Sequence, residues 1–483
     1  MIKRSLPVLA LLTAPALAAP EVLPSTARAN AETAAALNWD DRRDLDFAAR
    51  GFMGTLKEPV IRAADGSVLH RLADPARFAK PAPATVNPSL WRNGGLVSRH
   101  GLFEVKPGIW QVRGFDLSNM TVIRGETGWI IVDPLTTIEA ARTAMALVRE
   151  KLGERPVVAV IYTHSHADHF GGAPGIISAD DAAAGRVQVI APEGFMHHAV
   201  SENVIAGPAM VRRAAYMFGT LLPWADDGHV SSGLGMGRTP GQIGLIPPTS
   251  SITRTGETRR IDGVDFVFQL TPETEAPAEM NFYLPQLKAL CMAENANGAM
   301  HNLLTPRGAL VRDAKGWAQY LLEARRLWAA QSEVVFTSHF WPRWGAAEVG
   351  DYLLTHAQAY AFVHNESVRL MNNGLNAVEI GEALQLPAPL ARAWYNRPNY
   401  GSLKFNARAV YQRYLGAFDG DPVSLDPLPR ADAAARYVAA MGGGTRVAAL
   451  AAQASAAGDE RWAATLLGHL VRAEPGNAPA RAM

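Results

Sequence analysis

Short apolar runs recur through the middle of the chain and predict buried β-strands. These runs lie at 109–112, 121–123, 129–133, 157–162, 187–190, 264–270, 282–284, 289–292 and 334–337. Many are rich in Val and Ile, as expected for strands in a buried sheet. The segment at 137–152 instead has apolar residues at helical spacing. Strands with helices between them predict an α/β fold in which helices cover the sheets.

The pattern differs at the two ends of the chain. Beyond about residue 345 the spacing predicts helices, at 349–373, 377–383, 387–395, 431–441, 447–457 and 461–473. The last two resemble a tetratricopeptide hairpin. Residues 19–90 are rich in Ala, Pro and Arg and have little periodicity. We therefore predict a lead-in at 19–90 that wraps the core, an α/β catalytic domain at 91–344 and an α-helical domain at 345–483.

The first residues have the pattern of an export signal. Lys3 and Arg4 precede an apolar run at 6–17, and the small residues Ala16 and Ala18 suit cleavage by signal peptidase. The apolar run is too short to span a bilayer. We predict a signal peptide at 1–18 and a periplasmic or secreted location in a bacterium. The single cysteine, Cys291, allows no internal disulfide and is expected in the core.

Composition narrows the range of partners. A chain of 483 residues is long enough for two or three domains. Its 46 basic and 45 acidic residues give a net charge of +1, with no run of Lys or Arg. This balance argues against nucleic-acid binding and against docking to membranes through a basic surface.

The segment after the strand at 157–162 carries the strongest chemical signal and reads THSHADHFGG (163–172). It places three histidines and an aspartate, the ligand types that zinc prefers, within six residues. Ligands at a strand end sit on a rigid base, and the glycine pair at 171–172 is expected to allow a tight turn. The HxHxDH pattern therefore predicts a metal site formed by His164, His166, Asp168 and His169.

A complete metal site needs ligands from elsewhere in the chain. Glu275, Glu294 and His339 each follow a predicted strand, as the histidine-rich segment does. Taken alone, such a glutamate is usually solvated and such a histidine is usually a hydrogen-bonded core residue. In the presence of the HxHxDH pattern they become the natural further ligands.

Together these motifs resemble a known superfamily. The strand-loop sequence GWIIVDP (128–134), a helix and then THSHADH (163–169) resemble the metallo-β-lactamase superfamily. More narrowly, TEAPAEM (274–280), MAENA (292–296), HNLL (301–304) and RGA (307–309) resemble the zinc-dependent alkyl sulfatases, which hydrolyse sulfate esters such as dodecyl sulfate. The resemblance runs from about residue 91 to the C-terminus. It implies a metallo-β-lactamase-like αββα sandwich followed by an α-helical dimerisation domain.

The resemblance also implies a site with two zinc ions per chain. One ion would be held by His164, His166 and Glu294, and the other by Asp168, His169 and His339. Glu275 would bridge the two ions, with Glu279 as the alternative bridge. Asn302 and Arg307 would bind the sulfate, because a guanidinium offers a planar fork of donors and an amide adds a neutral donor. His301 is a candidate proton donor, or else a hydrogen-bond partner of a ligand.

Two zinc ions about 3.5–4 Å apart would share a water molecule whose pKa falls towards about 7. The hydroxide could attack either the sulfur or the carbon of the ester. Cleavage of the C–O bond releases sulfate, which needs little acid assistance, whereas cleavage of the S–O bond releases an alkoxide that demands a proton. The sequence leaves this choice open.

Substrate and partners follow from the same resemblance. An amphiphilic alkyl sulfate is the expected substrate, and a homodimer without stable membrane insertion is the expected assembly. The apolar stretch at 210–224 could line an alkyl-chain tunnel or belong to an ordinary helix core. Related enzymes commonly continue into a lipid-carrier-like domain, which we expect to be missing after Met483. The alternatives are another dizinc hydrolase, acting on lactones, β-lactams or phosphodiesters, and an inactive truncated scaffold.

Overall fold

The computed structural model describes residues 22–483, so the predicted signal peptide at 1–18 lies outside the described residues. Two β-sheets form the centre of the fold. The larger has eight strands in the order β1-β4-β5-β6-β7-β8-β9-β10: β1 (Phe52–Gly54), β4 (Gly101–Lys106), β5 (Ile109–Arg113), β6 (Met120–Arg124), β7 (Trp129–Val132), β8 (Val157–Ile161), β9 (Gln188–Pro192) and β10 (Ser250–Ile252). A separate hairpin contains β2 (Val60–Arg62) and β3 (Val68–Arg71).

The smaller sheet has six strands in sequence order. They are β11 (Thr258–Ile261), β12 (Val264–Leu270), β13 (Met280–Leu284), β14 (Ala289–Cys291), β15 (Val334–Phe336) and β16 (Arg343–Trp344). Strands β14 and β15 are parallel, and β13 is antiparallel to both β12 and β14. Strands β12, β14 and β15 therefore run in the same direction, so their carboxyl ends lie at one edge of the sheet.

The helices fall into an N-terminal group, a group that covers the sheets and a C-terminal group. The first two groups are α1 (Pro24–Ala36), α2 (Arg43–Ala49), α3 (Pro88–Val97), α4 (Ile138–Leu152), α5 (Ala167–Phe170), α6 (Ala179–Ala183), α7 (Phe195–Val200), α8 (Gly207–Arg213), α9 (Ala215–Phe218) and α10 (Ala314–Trp328). The C-terminal group is α11 (Ala346–Asn372), α12 (Ala377–Ala383), α13 (Ala388–Ala391), α14 (Leu403–Leu415), α15 (Pro422–Leu425), α16 (Arg430–Ala440), α17 (Gly444–Ala456), α18 (Glu460–Ala473) and α19 (Ala478–Ala482). Among residues 22–483, no helix is both long and apolar enough to cross a membrane.

Three apolar layers hold the sheets and helices together. Between the sheets, Val132 and Ile161 pack in one cluster with Phe266, Phe282 and Phe336. Helix α4 covers the outer face of the larger sheet, and α10 and α11 cover the outer face of the smaller one. Burial of this apolar surface is the main favourable term in folding. The predicted αββα sandwich is confirmed.

Five of the six predicted C-terminal helices begin and end within three residues of their predicted bounds, whereas α14, α15 and α19 were not predicted. Helices α17 and α18 form the predicted hairpin and pack through Val447, Ala451, Leu466 and Leu470. The segment at 387–395 is less helical than predicted, because it contains only the four-residue α13 and a 3₁₀ turn at Trp394–Asn396. Pro387 and Pro389 stand at the start of this short helix, where a missing backbone N–H costs no intrahelical hydrogen bond.

The predicted lead-in does more than wrap the core. Strand β1 pairs antiparallel with β4 and so adds an edge strand to the larger sheet. Ile61 and Leu72 lie in the same apolar cluster as α4. The described part of the lead-in is therefore built into the α/β domain, and residue 90 does not separate two packing units.

A buried ion-pair network joins the lead-in to the two later regions. Only 3% of the Arg343 side chain, on β16, is exposed, and its guanidinium contacts Asp44 of α2. Its other guanidinium nitrogen is 2.6 Å from Oε1 of Glu348 on α11. The Arg343 guanidinium also lies 4.5 Å from the ring centre of Tyr352. One cation thus ties α2, β16 and α11 together.

Candidate metal centre and active site

Loops that follow β8, β12, β14 and β15 bring the predicted ligands to one place. The HxHxDH segment follows β8, Glu275 follows β12, Glu294 follows β14 and His339 follows β15. The two sheets are linked here by a hydrogen bond from the Met280 N–H to the Thr163 carbonyl, at 2.9 Å. The site therefore rests on the ends of four rigid strands, the arrangement that holds ligands most precisely.

The first group of ligands contains His164, His166 and Glu275. Oε2 of Glu275 lies 3.0 Å from Nε2 of His164 and 2.8 Å from Nδ1 of His166. All three side chains are buried. Their nitrogen and oxygen atoms are close enough to one another to share a metal ion.

The second group contains Asp168, His169 and His339. Oδ2 of Asp168 lies 3.2 Å from Nε2 of His169 and 3.6 Å from Nε2 of His339. This group also has the spacing of a metal site. Asp168 is the most exposed member, with 17% of its side chain accessible, and marks the side from which solvent reaches the site.

Glu294 lies between the two groups. Its Oε2 atom is 3.4 Å from Nε2 of His164, 3.2 Å from Nε2 of His169 and 3.1 Å from Nε2 of His339. It thus faces members of both groups, whereas Glu275 faces only the first. The resemblance implied that Glu275 bridges two ions, whereas in the structure Glu294 is the glutamate that faces both groups.

Glu279 does not serve as the alternative bridge. One of its carboxylate oxygens accepts from the Glu294 N–H at 3.2 Å, and the other accepts from the Thr274 hydroxyl at 2.8 Å and the Glu275 N–H at 3.1 Å. Its carboxylate is therefore occupied with the backbone of both ligand glutamates. Burial and the charge of Glu275 raise the pKa of Glu279 to about 8.

The unpartnered atoms of the cluster test whether a metal fits. Nε2 of His164, His169 and His339 and Oε2 of Glu275 are buried and have no hydrogen-bond partner within residues 22–483. Buried polar atoms are rarely left unpaired, because each costs free energy. Here they converge, and they are the imidazole and carboxylate donors that suit a divalent cation such as zinc. The residues present fit a metal centre.

Asp133 fixes the orientation of the second group. It has the unusual positive φ of 53° at the end of β7. Its Oδ2 atom lies 2.9 Å from Nδ1 of His169 and also accepts from the Thr163 and Ser338 hydroxyls. A carboxylate on Nδ1 directs Nε2 of His169 towards the metal position. Asp133 was not predicted as a site residue, although its place at a strand end in GWIIVDP gave a signal.

The glycine pair after the histidines lies in a turn and is closely packed. A Cβ atom on Gly171 would lie 2.1 Å from the Thr136 carbonyl oxygen, and one on Gly172 would lie 2.1 Å from the Pro134 carbonyl oxygen. Neither glycine has a positive φ. Both glycines lie in a turn, as expected, and their lack of a side chain also lets α5 approach the loop after β7.

The predicted sulfate-binding residues lie beside the first group. Nδ2 of Asn302 is a buried donor without an acceptor, while its Oδ1 atom accepts from Arg312. Arg307 has 20% of its side chain exposed and lies 3.7 Å from Glu202. An amide donor and a guanidinium thus remain available for an anion next to the metal site.

Arg312 is a functional candidate that sequence reasoning missed. Its Nη2 atom lies 2.6 Å from Oε1 of Glu275, and its Nη1 atom lies 2.9 Å from Nδ1 of His301. Burial opposes ionisation of Glu275, but Arg312 holds the pKa of that carboxyl well below its usual range. The only sequence signal was a second arginine five residues after Arg307.

His301 is placed as a support for Glu294. Its Nε2 atom lies 2.7 Å from Oε1 of Glu294, and Arg312 contacts its other ring nitrogen. Both ring nitrogens are therefore engaged in this structure. Its role as a proton donor stays a prediction.

The apolar stretch at 210–224 is not a helix core. Val211, Tyr216 and Leu221 expose 69%, 84% and 87% of their surface. Met210 contacts Arg307 through its sulfur at 3.2 Å. The stretch therefore lies on the surface beside the predicted sulfate-binding residue, and its role as a wall of an alkyl-chain tunnel stays a prediction.

Comparison with known proteins places this site in a family. The family model "Metallo-beta-lactamase superfamily" matches residues 113–339, and "Alkyl sulfatase dimerisation" matches residues 376–483. An (R)-specific secondary-alkylsulfatase from a Pseudomonas species is 47% identical over 95% of this chain and 69% of its own length. A linear primary-alkylsulfatase from a Pseudomonas species is 44% identical over 95% of this chain and 68% of its own length.

A solved structure agrees with these sequence matches. The stereoselective inverting sec-alkylsulfatase of a Pseudomonas species superposes with a TM-score of 0.94 at 46% identity, covering 96% of this chain and 74% of that one. The fold and the site define a metal-dependent hydrolase of the metallo-β-lactamase superfamily, and the site binds divalent metal. Within that superfamily the chain belongs to the alkylsulfatases, and it hydrolyses alkyl sulfate esters. The resemblance drawn from the sequence is confirmed.

Proposed function

We propose that this alkylsulfatase works with two zinc ions per chain. The first would be held by His164, His166 and Glu275, the second by Asp168, His169 and His339, and Glu294 would be shared. The position of Glu294 Oε2, within 3.4 Å of histidines from both groups, is the observation that carries the proposal. When bound, two zinc ions supply positive charge that polarises the ester and lowers the pKa of a water molecule.

The chain's own residues orient the sulfate in this proposal. Nδ2 of Asn302 donates to one sulfate oxygen, and the guanidinium of Arg307 pairs with the negative charge. Arg312 and His301 hold Glu275 and Glu294 in place from behind, through contacts of 2.6 and 2.7 Å. Because these supports are buried and contact the ligand carboxylates directly, the ligand geometry is set before substrate binds.

We propose that the C–O bond is the one that breaks, with inversion at carbon. Departing sulfate needs no proton, and both ring nitrogens of His301 are already engaged. An alkoxide released by S–O cleavage would need an acid that the arrangement does not offer at His301. The likeness to a stereoselective inverting sec-alkylsulfatase supports the same choice.

Hydrolysis of a chiral secondary alkyl sulfate in ¹⁸O-labelled water tests the bond that breaks. We expect the label in the alcohol and the configuration at carbon inverted. Mass spectrometry of both products and chiral chromatography of the alcohol measure this directly. Label in the inorganic sulfate, with configuration retained, would contradict attack at carbon.

Assembly and location are further proposals. The match to the dimerisation family supports a homodimer, and Tyr414, Leu415, Val423 and Leu425 in this region are exposed apolar residues suited to an interface. Sedimentation equilibrium should give twice the chain mass.

Export through residues 1–18 rests on the sequence pattern alone, and recovery of the chain only from the cytoplasmic fraction would contradict it.

A further inference from the structure

Glu202 is a buried carboxylate beside the metal cluster that no part of the proposed mechanism uses. It lies in a π-helical turn, Ser201–Ile205, directly after α7, and only 6% of its surface is exposed. Such turns insert an extra residue into a helix and often occur at functional sites. Here the turn directs the Glu202 side chain inward, while its neighbours Val204 and Ile205 are exposed.

The Glu202 carboxylate faces the far side of a ligand histidine. Its Oε2 atom lies 3.1 Å from Nε2 of His166. The opposite ring nitrogen, Nδ1, lies 2.8 Å from the ligand oxygen of Glu275. The two nitrogens of His166 are therefore divided between the metal cluster and Glu202.

An imidazole ligand needs an unprotonated nitrogen towards the metal and a hydrogen-bond acceptor at its other nitrogen. Nε2 of His164 lies 3.0 Å from the same Glu275 oxygen, so Nδ1 is the His166 atom that faces the first group. A carboxylate opposite Nε2 keeps the proton there and leaves Nδ1 free. Asp133 has the corresponding position at His169, with the two nitrogens reversed, and makes a hydrogen bond there. Glu202 and His166 lie at ion-pair distance in this structure, without the geometry of a hydrogen bond.

We infer that Glu202 is a positioning residue that holds His166 in the tautomer and orientation needed to bind the first metal ion. This deepens the proposed dizinc function and rests on it. Glu202 reaches the cluster from a different segment than any of the ligands, so it fixes His166 from a side that the strand ends do not support. Arg307 lies 3.7 Å from the same carboxylate oxygen.

Two substitutions of Glu202 separate positioning from general structure. Glu202→Ala removes the acceptor, whereas Glu202→Gln keeps an oxygen acceptor of the same shape. The matched control is Glu193→Gln, which changes an exposed glutamate nine residues earlier in the chain. Zinc affinity of the metal-free proteins is measured by competition with a chromogenic chelator, and activity on dodecyl sulfate is measured as a function of free zinc.

We expect Glu202→Ala to weaken binding of one zinc ion by about 10- to 100-fold and leave the other unchanged. The zinc affinity of Glu202→Gln should stay within about threefold of the parent's. Excess zinc should restore most of the activity of Glu202→Ala. Unchanged zinc affinity in Glu202→Ala, or a loss of activity that zinc does not restore, would overturn the inference. A parent chain that binds no zinc would instead contradict the proposed function, so the two failures are distinct.

Discussion

Replacing Glu294 by Gln is expected to lower kcat/KM for dodecyl sulfate by about a thousandfold. The substitution removes the one charge shared by both ligand groups and leaves a neutral amide facing three histidine nitrogens. A loss of about 4 kcal/mol of transition-state stabilisation is the scale expected when a metal centre is disrupted, and each 1.4 kcal/mol is tenfold in rate. Steady-state kinetics and the metal content by mass spectrometry measure both effects.

The control for this substitution is Glu154→Gln, which changes the same side chain where it is 80% exposed. We expect its activity and metal content to match the parent within error. The Glu294→Gln protein should retain fewer than two equivalents of metal. Its thermal unfolding should resemble that of the metal-depleted parent. Activity within threefold of the parent would contradict the bridging position of Glu294.

Replacing Arg343 by Met is expected to lower the free energy of unfolding by about 3–5 kcal/mol. The substitution leaves Asp44 buried without its closest cation, and it also removes a partner of Glu348. An unpaired buried carboxylate is costly because its charge has lost both water and a counter-ion. Denaturant unfolding followed by tryptophan fluorescence gives the change.

A second substitution shows whether the loss of unfolding free energy comes from the unpaired charge of Asp44. In the Asp44→Asn, Arg343→Met protein the buried charge is gone, so most of the loss should be recovered. Arg43→Met is the exposed counterpart, since 54% of the Arg43 side chain is accessible. We expect it to lower the free energy of unfolding by no more than about 1 kcal/mol. Equal losses in the single and double variants would show that the network does not act through charge.

The sequence predicted which candidate ligands the fold brings together, because these residues follow a simple rule. Each lies directly after a strand, and strands β12, β14 and β15 end at the same edge of one sheet. The HxHxDH segment follows β8 of the other sheet, which meets this edge at Met280. Position along the chain is therefore enough to bring seven ligands together.

The roles within the cluster depend on side-chain geometry that spacing does not contain. Whether Glu275 or Glu294 lies between the two groups is decided by the direction of each carboxylate. Glu279 turns towards backbone N–H groups instead, although it lies in the same motif as Glu275. Only three-dimensional coordinates separate these three glutamates.

The supports of the site were harder to predict than the ligands. Glu202 reaches the cluster from a π-helical turn and Arg312 from a loop, and neither directly follows a strand. Helix α10 was not predicted either, although Trp317 and Leu321 make it a central part of the core. Strand β1 was missed because its three residues are mostly exposed, so it has no apolar run. In each case the packing partner, rather than the local pattern, determines the structure.

Two metal ions are expected to lie on either side of Glu294. Anomalous diffraction from crystals of the zinc-loaded protein, recorded above and below the zinc absorption edge, tests it most directly. We expect two peaks about 3.5–4 Å apart, one beside His164, His166 and Glu275 and one beside Asp168, His169 and His339. A single peak, or two peaks that do not both contact Glu294, would contradict the account.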